Sequence, residues 1–260
     1  MSPVRGGHGP REKTDPESRS VRAGESRIHY ELVRSKRRTI GILVRPNGSI
    51  TVHAPKRVSI AFIESILLER HPWIKKKQAE FAEQERRKPA PLSFSPGESV
   101  PLEGEARVLD LRFSARVRPS VDMTEDHKII VTVHEQYQDS NELPEMIKAI
   151  LMHWYKIRAR EVITARVDHY KAVLGVEPAR IAIKDQKTRW GSCSSKGNVN
   201  FNWRLVLAPL DIQDYVVVHE LCHLKVRSHS PRFWNLVRSI IPDYTDRRTW
   251  LRKNGFLLYV

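Results

Sequence analysis

The chain has 260 residues, 40% of them hydrophobic and 29% charged, which is typical of a soluble globular protein. Its formal net charge is +15, and its two cysteines, Cys193 and Cys222, exclude both a disulfide framework and a zinc site built on paired cysteines. No apolar run approaches the roughly 18 residues of a membrane span, and the first residues lack the apolar core of a signal peptide. We therefore expect a cytoplasmic protein without a membrane partner.

The positive charge makes a polyanionic partner, nucleic acid or nucleotide, one hypothesis, because basic surfaces attract phosphates at long range. The excess of Lys and Arg is spread over residues 1–140 and 141–260 alike. A generally basic, solvated surface is therefore the alternative to a specific nucleic-acid site.

Composition divides the chain into three parts. Residues 1–24 are rich in Gly, Pro, Arg, Glu and Ser and nearly free of apolar side chains, so we expect a disordered tail. Residues 25–140 alternate short apolar and polar runs around one helical segment, which predicts a β-rich accessory region with a helix pair. Residues 141–260 run helix, strands and helix pair, which predicts a compact α+β domain.

Local signals set the expected elements of the accessory region. The Pro-Asn-Gly sequence at 46–48 predicts a turn between two β-like runs. Helical periodicity begins at Ser59 and breaks near Pro72, because proline interrupts a helix. Further β-like runs follow at 106–118 and 128–134.

The last 120 residues or so carry their own start and stop signals. Asn141 is the N-cap candidate of a long helix that closes at Gly175. Short β-like runs follow, two of them joined by a turn at 195–197. The last two helices are predicted to start near Asp211 and Ser230.

The run YVVVHELCHL places two histidines one turn apart on a helix. His219 and His223 differ by about 40° around the axis, so both imidazoles can converge on one point with Glu220 beside them. In an H-E-x-x-H helix two imidazoles hold zinc and the carboxylate acts as general base toward zinc-activated water. Burying these groups without a metal would cost several kcal/mol. The sequence therefore predicts a zinc site, and ordinary polar residues of a half-buried helix are the alternative.

His229 is the candidate third ligand. On an unbroken helix it would lie too far from the other two histidines, so the chain must turn, and we expect the first helix to end at 227–228. Ser230 followed by Pro231 is typical of a new helix start. Three protein ligands leave the fourth position for water, as a catalytic zinc requires. Cys222 lies on the same face and is predicted to be a core residue rather than a ligand.

Two segments carry a family resemblance. TRWGSCSSKGNVNFNWRLVLAP at 188–209 and VVHELCHLKVRSHSPRFW at 217–234 together resemble the YgjP-like metallopeptidases, relatives of the SprT-like and WLM zinc proteases. The resemblance extends over most of residues 27–260 and implies a compact zincin-like fold. The site that it implies is zinc on His219, His223 and His229, with Glu220 as base.

Other residues are candidates for contacts with the substrate or the transition state. Zincins hold an extended peptide against an edge strand, and the hairpin at 198–207, with Asn200 on its polar face, is the candidate edge. Arg189 could stabilise an oxyanion or bind a phosphate, and packing on Trp190 is the alternative. Tyr244 is a further candidate, with an ordinary aromatic contact as its alternative.

These patterns favour a zinc-dependent hydrolase acting on a peptide or protein. In this interpretation Glu220 takes a proton from zinc-activated water and then donates one to the leaving amine. Two alternatives stay open: a metal-dependent nucleotide phosphohydrolase, which the basic balance favours, and a DNA-associated protease module of the SprT-like type.

Overall fold

The chain divides into two compact units, Met1–Lys88 and Pro89–Val260. The computed structural model describes residues 16–115 and 118–259, and its helices and mixed sheets confirm the predicted α+β class. None of the described helices is long and apolar enough to cross a membrane.

From residue 16, where the described part begins, the first unit is a four-stranded mixed sheet with two helices. Its strand order is β1-β2-β4-β3, with β2 parallel to β4 and the other pairs antiparallel. Its elements are β1 Glu17–Ala23, β2 Ser26–Ser35, β3 Gly41–Val44, β4 Ile50–Pro55, α1 Ile60–Glu69 and α2 His71–Arg87. Apolar side chains of β2, β4 and both helices, such as Leu32, Val52 and Ile63, form a core of their own.

The turn and helix signals in this unit are confirmed. Gly48 has φ +80° and its N–H donates to the Arg45 carbonyl, which closes the turn between β3 and β4. The Ser59 hydroxyl accepts from the N–H of Phe62, three residues on, and caps α1. Pro72 lies in the first turn of α2, where a missing N–H costs nothing.

The N-terminal segment is more ordered than its composition suggests. Residues 1–15 of the predicted tail lie outside the described residues, whereas Glu17–Ala23 forms β1, so the prediction of disorder to residue 24 is corrected. All seven residues of β1 pair with β2, and Val21 and Ala23 pack against the core. Backbone pairing to a neighbouring strand orders a sequence that has few apolar residues.

In the described part of the second unit, residues 89–115 and 118–259, there are two sheets and four helices. One sheet has the order β5-β6-β8-β7, and the other has β10-β11-β9. The strands are β5 Ser99–Leu102, β6 Glu105–Ser114, β7 Ser120–Met123, β8 Ile129–His134, β9 Arg180–Lys184, β10 Gly191–Cys193 and β11 Asn198–Asn202. The helices are α3 Leu143–Leu174, α4 Leu210–Cys222, α5 Pro231–Ile240 and α6 Tyr244–Asn254, with short 3-10 segments at 135–137, 203–207 and 255–258.

The long helix α3 is the centre of this unit. Its buried residues recur every four positions from Ile147 to Val167, and they share one core with Leu109 of β6 and Val131 of β8. The first sheet of this unit therefore belongs with α3, and the boundary expected after residue 140 moves to Lys88/Pro89. Hydrophobic contact with α3, which local strand patterns do not show, decides this division.

The C-terminus of α3 is where the sequence predicts it, and the N-cap differs from the predicted residue by one position. Gly175 caps the C-terminus with φ +60°, as predicted. At the N-terminus Glu142, not Asn141, is the cap residue, and Ser140 accepts a hydrogen bond from the Glu142 N–H. Pro144 in the first turn fixes this start, since proline is favoured there.

The positive charge is concentrated in the first unit. Lys and Arg outnumber Asp and Glu by 20 to 10 in residues 1–88, and by 25 to 20 in residues 89–260. The even distribution inferred from a division at residue 140 is thus corrected: the net charge is +10 in the smaller unit and +5 in the larger one.

Helix α4 is buried on almost every side, so its polar residues need partners inside the protein. The Arg166 guanidinium of α3 donates from Nη2 to Asp214 Oδ2 at 3.0 Å. The Gln213 side chain donates to the Ala208 carbonyl at 2.9 Å. These bonds fix the helix against its neighbours, although Gln213 Oε1 is buried with no hydrogen-bond partner among the described residues.

A glycine lies against the start of α4. Gly104 has φ +87°, and a Cβ built there would come within 2.7 Å of Pro209 Cγ and 2.8 Å of Pro209 Cα. We expect Gly104→Ala to lower the free energy of unfolding by about 2–4 kcal/mol, from left-handed backbone strain plus overpacking. Gly97→Ala is the matched control, because Gly97 has φ +82° but nothing within 4 Å. Urea unfolding of both variants measures the difference, and equal losses would contradict the close contact.

Candidate active site

Helix α4 carries the first two predicted ligands near its C-terminus. It ends at Cys222 with His223 as C-cap, earlier than the end predicted at 227–228. The chain tightens after Cys222: Leu224 N–H bonds to the Leu221 carbonyl, and Lys225 N–H to that of Cys222. The ring centroids of His219 and His223 are nevertheless 5.0 Å apart, as expected for residues one turn apart.

Helix α4 starts at Leu210, near Asp211 as predicted. Pro209 is the N-cap residue and makes no side-chain cap bond, while Asp211 lies in the first turn. A carboxylate there still interacts favourably with the positive end of the helix. Cys222 is fully buried in the core, which confirms its predicted packing.

The corner after α4 returns His229 to the other two histidines. His229 precedes Ser230, the N-cap residue of α5, as the Ser-Pro signal predicts. Its ring centroid lies 5.0 Å from that of His219 and 4.7 Å from that of His223, and the Nε2 atoms of His219 and His229 are 3.1 Å apart. One ring nitrogen from each of the three lies within 4.8 Å of the others, so together they could hold a metal ion.

Residues of α5 orient the three imidazoles. Phe233 stacks on His223, with centroids 4.4 Å apart, and meets the other two rings edge-on. Trp234 stacks on His229 at 5.5 Å. His223 Nδ1 lies 3.1 Å from the Val226 carbonyl, a hydrogen bond that leaves Nε2 to face the cluster. This contact was not predicted from the sequence.

Burial controls the protonation of the cluster. Burial, together with the charges of the other two histidines, lowers the pKa of His219 to about 3. Burial and the neighbouring His223 also lower the pKa of His229. Both rings are therefore neutral near pH 7, which is the form that binds metals. His219 Nδ1 is buried with no hydrogen-bond partner among the described residues.

Glu220 lies beside the cluster and is buried, with 6% of its surface exposed. Burial raises the pKa of Glu220 to about 7, and the positive charge of Arg189 acts in the opposite direction. A carboxyl group with a pKa near 7 can both accept and release a proton at neutral pH.

Strand β10 contacts Glu220 directly. A Cβ on Gly191 would lie 2.6 Å from Glu220 Cγ and 2.7 Å from its Oε1, so only glycine leaves room for this carboxylate. A glycine inside a strand pattern is a sequence signal of close approach, so Gly191 could have been recognised from the sequence. Residues 191–195, the three histidines, Glu220 and Arg227 line a cavity of about 410 Å³ at this place.

The predicted edge strand is wrong. The segment 198–207 is not a hairpin at the sheet edge: β11 is the central strand, between β10 and β9, and residues 203–207 form a 3-10 segment. Val199 and Phe201 are buried as expected, but Asn202 is buried too and donates to the Gln186 carbonyl at 2.7 Å. Strand β10 is the edge strand and lines the cavity.

The two predicted contact residues before β10 lie in different surroundings. Arg189 is exposed, and its charge acts on Glu220. Trp190 packs against Tyr259, with ring centroids 5.7 Å apart, and against Gly255. Neither residue is part of the cavity lining described above.

Asn200 and Tyr244 are not among the residues that line the cavity. The Asn200 side chain donates to Ser192 Oγ at 3.2 Å and so supports β10 from its neighbouring strand. Tyr244 is buried and stacks on Trp234, with ring centroids 5.3 Å apart. The structure therefore brings together the histidines and Glu220, and gives these two residues supporting positions.

Comparison with protein families decides the class of this site. The family model described as "YgjP-like, metallopeptidase domain" matches residues 38–254, most of the chain. The chain belongs to the YgjP-like metallopeptidase family. This membership confirms the resemblance seen in the sequence and identifies the chain as a metal-dependent peptidase, whose substrates are peptides or proteins.

Two solved structures show partial similarity. The metallopeptidase zymogen of Pyrococcus abyssi abylysin is 22% identical, with a TM-score of 0.32, over 35% of this chain and 93% of that chain. The metallopeptidase zymogen of Methanocaldococcus jannaschii jannalysin is 28% identical, with a TM-score of 0.28, over 30% of this chain and 79% of that chain. No curated protein matches the sequence significantly. The family assignment therefore depends on the family match.

The contact between Gly191 and Glu220 predicts the effect of one added methyl group. We expect Gly191→Ala to displace the Glu220 carboxylate and to lower the free energy of unfolding by about 1–3 kcal/mol, because the new Cβ overlaps Glu220 Cγ. Ser195→Ala, in the turn that follows the same strand, is the control. A crystal structure and urea unfolding of each variant test this, and an unmoved Glu220 in Gly191→Ala would contradict it.

Proposed function

We propose that this protein is a zinc-dependent peptidase in which His219, His223 and His229 hold zinc and Glu220 is the general base. The observation that supports it is the convergence of three imidazoles on one point beside a buried carboxylate. Such a group of polar side chains in a half-buried place is unfavourable unless a shared cation replaces the lost water.

The donor set fits zinc. Three imidazole nitrogens with an open side toward a cavity are the ligands of a catalytic zinc site, and neutral imidazole is a donor that zinc prefers. The low pKa of His219 keeps its ring neutral, and the Val226 carbonyl orients the ring of His223. The lowered pKa values of His219 and His229 limit the competition from protons for the same nitrogens.

Glu220 supplies the proton transfers. When bound, zinc would activate a water molecule and polarise the substrate carbonyl. In this proposal Glu220 accepts the proton of the attacking water and delivers it to the leaving amine, and its pKa of about 7 suits both steps. Gly191 has no side chain that would displace the carboxylate from this position.

Strand β10 would hold the substrate. Its free edge borders the cavity, so an extended peptide can add to it by backbone hydrogen bonds. Arg189, exposed beside Glu220, is the proposed contact for negative charge that develops on the substrate oxygen. The nucleotide phosphohydrolase and the DNA-associated protease stay alternative predictions of the function. The cytoplasmic location stays a prediction as well.

Replacing the general base should separate chemistry from metal binding. We expect Glu220→Gln to reduce peptide hydrolysis at least about 100-fold, because the amide cannot accept the proton. Zinc content should be unchanged, since Glu220 is not one of the proposed ligands. Peptide hydrolysis and metal analysis of the purified variant check this, and retained activity would contradict the role of Glu220.

Removing the third histidine tests the ligand set. We expect His229→Ala to weaken zinc binding at least about 100-fold, because one of three protein ligands is lost. The exposed His153, on α3, provides the control variant His153→Ala, which should bind zinc like the unchanged protein. Competition with a chromophoric chelator measures both affinities. Equal affinities would remove His229 from the site.

A further inference from the structure

The cavity contains one fixed positive charge that the proposed chemistry does not use. Among the residues that line it, Arg227 and Glu220 are the ones with a formally charged side chain other than histidine or cysteine. Glu220 already has a role as base. Arg227 is exposed and lies in the corner between α4 and α5, two residues before His229.

The Arg227 side chain is held at the far end of β10. Its Nη2 donates to the Ser195 carbonyl at 3.3 Å, in the turn that follows this strand. Among the described residues this is the hydrogen bond found for Arg227, so its other N–H groups are available to a ligand. A guanidinium held on one side and open on the other matches a carboxylate well.

A second arginine lies near the opposite end of the same strand. Arg189 is two residues before Gly191, and its charge acts on Glu220. An extended peptide on β10 would therefore have a positive charge near each end of the short strand. Within the lining residues, Glu220 is the one carboxylate that opposes this field. A substrate that brings negative charge gains from it.

We propose that the cleft selects peptides with an acidic side chain close to the scissile bond, and that Arg227 binds that carboxylate. This inference rests on the proposed peptidase function and names its substrate class. A phosphate could also bind a guanidinium, but a peptide uses the free backbone edge of β10 as well. The acidic peptide is therefore the ligand that fits both features.

Paired peptides test the selection. Each pair differs by Glu or Gln at one position within three residues of the scissile bond. The unchanged zinc-loaded protein should cleave the best Glu peptide with a kcat/KM roughly tenfold above its Gln partner, from one charge-assisted contact. In Arg227→Gln the Glu peptide should fall to the level of the Gln peptide, and the Gln peptide should keep its rate.

Two further variants separate binding from a structural role. Arg227→Glu should reverse the preference, so that a Lys peptide is cleaved faster than its Gln partner. Lys225→Gln removes a charge from the same corner, outside the cavity lining, and should leave the preference unchanged. Zinc content and thermal unfolding of each variant show whether the corner is intact.

Several results would overturn the inference. Equal cleavage of Glu and Gln peptides by the unchanged protein would do so, and so would an equal loss for both peptides in Arg227→Gln. Inhibition by a nucleoside triphosphate that depends on Arg227, without any Glu preference, would assign the charge to a phosphate instead. Peptide cleavage that is equal in Glu220→Gln would contradict the proposed function itself, which is a different outcome.

Discussion

Three imidazole rings lie close together near the C-terminus of α4. The structure of the second unit depends on how these polar rings are stabilised there. Two of the rings are one helical turn apart, while His229 lies in the corner between α4 and α5. Burial keeps His219 neutral, so protonation gives it no substitute for lost water. A shared cation would provide one partner for all three ring nitrogens. The apolar residues around them can then be buried without the cost of leaving these polar groups unpaired.

This arrangement requires a helix that does not shift. The bond from Arg166 to Asp214 ties α4 to α3, and Gly104 lets a loop lie directly against Pro209 at the start of the helix. Near the other end of the helix, β10 lies so close to Glu220 that a methyl group on Gly191 would overlap the Glu220 side chain. A catalytic group must be held within a few tenths of an ångström, and these close contacts restrict it from both ends of the helix.

The sequence predicts the local parts of this site well and its long-range parts poorly. H-E-x-x-H and Ser-Pro identify the three histidines and the corner because helix geometry and caps depend on a few neighbouring residues. The edge strand was wrong because the order of β10 and β11 in the sheet depends on pairing with β9, which no local pattern records. The division of the chain was misplaced for the same reason: only the packing of the first sheet on α3 assigns it to the second unit.

X-ray absorption spectroscopy of the zinc-loaded protein tests directly whether the three imidazoles form one zinc site, since nitrogen and sulfur donors lie at different distances from zinc, about 2.0–2.1 and 2.3 Å. We expect three imidazole nitrogens and no sulfur, even though Cys193 also lines the cavity. A spectrum with a sulfur ligand, or with only two imidazoles, would contradict it.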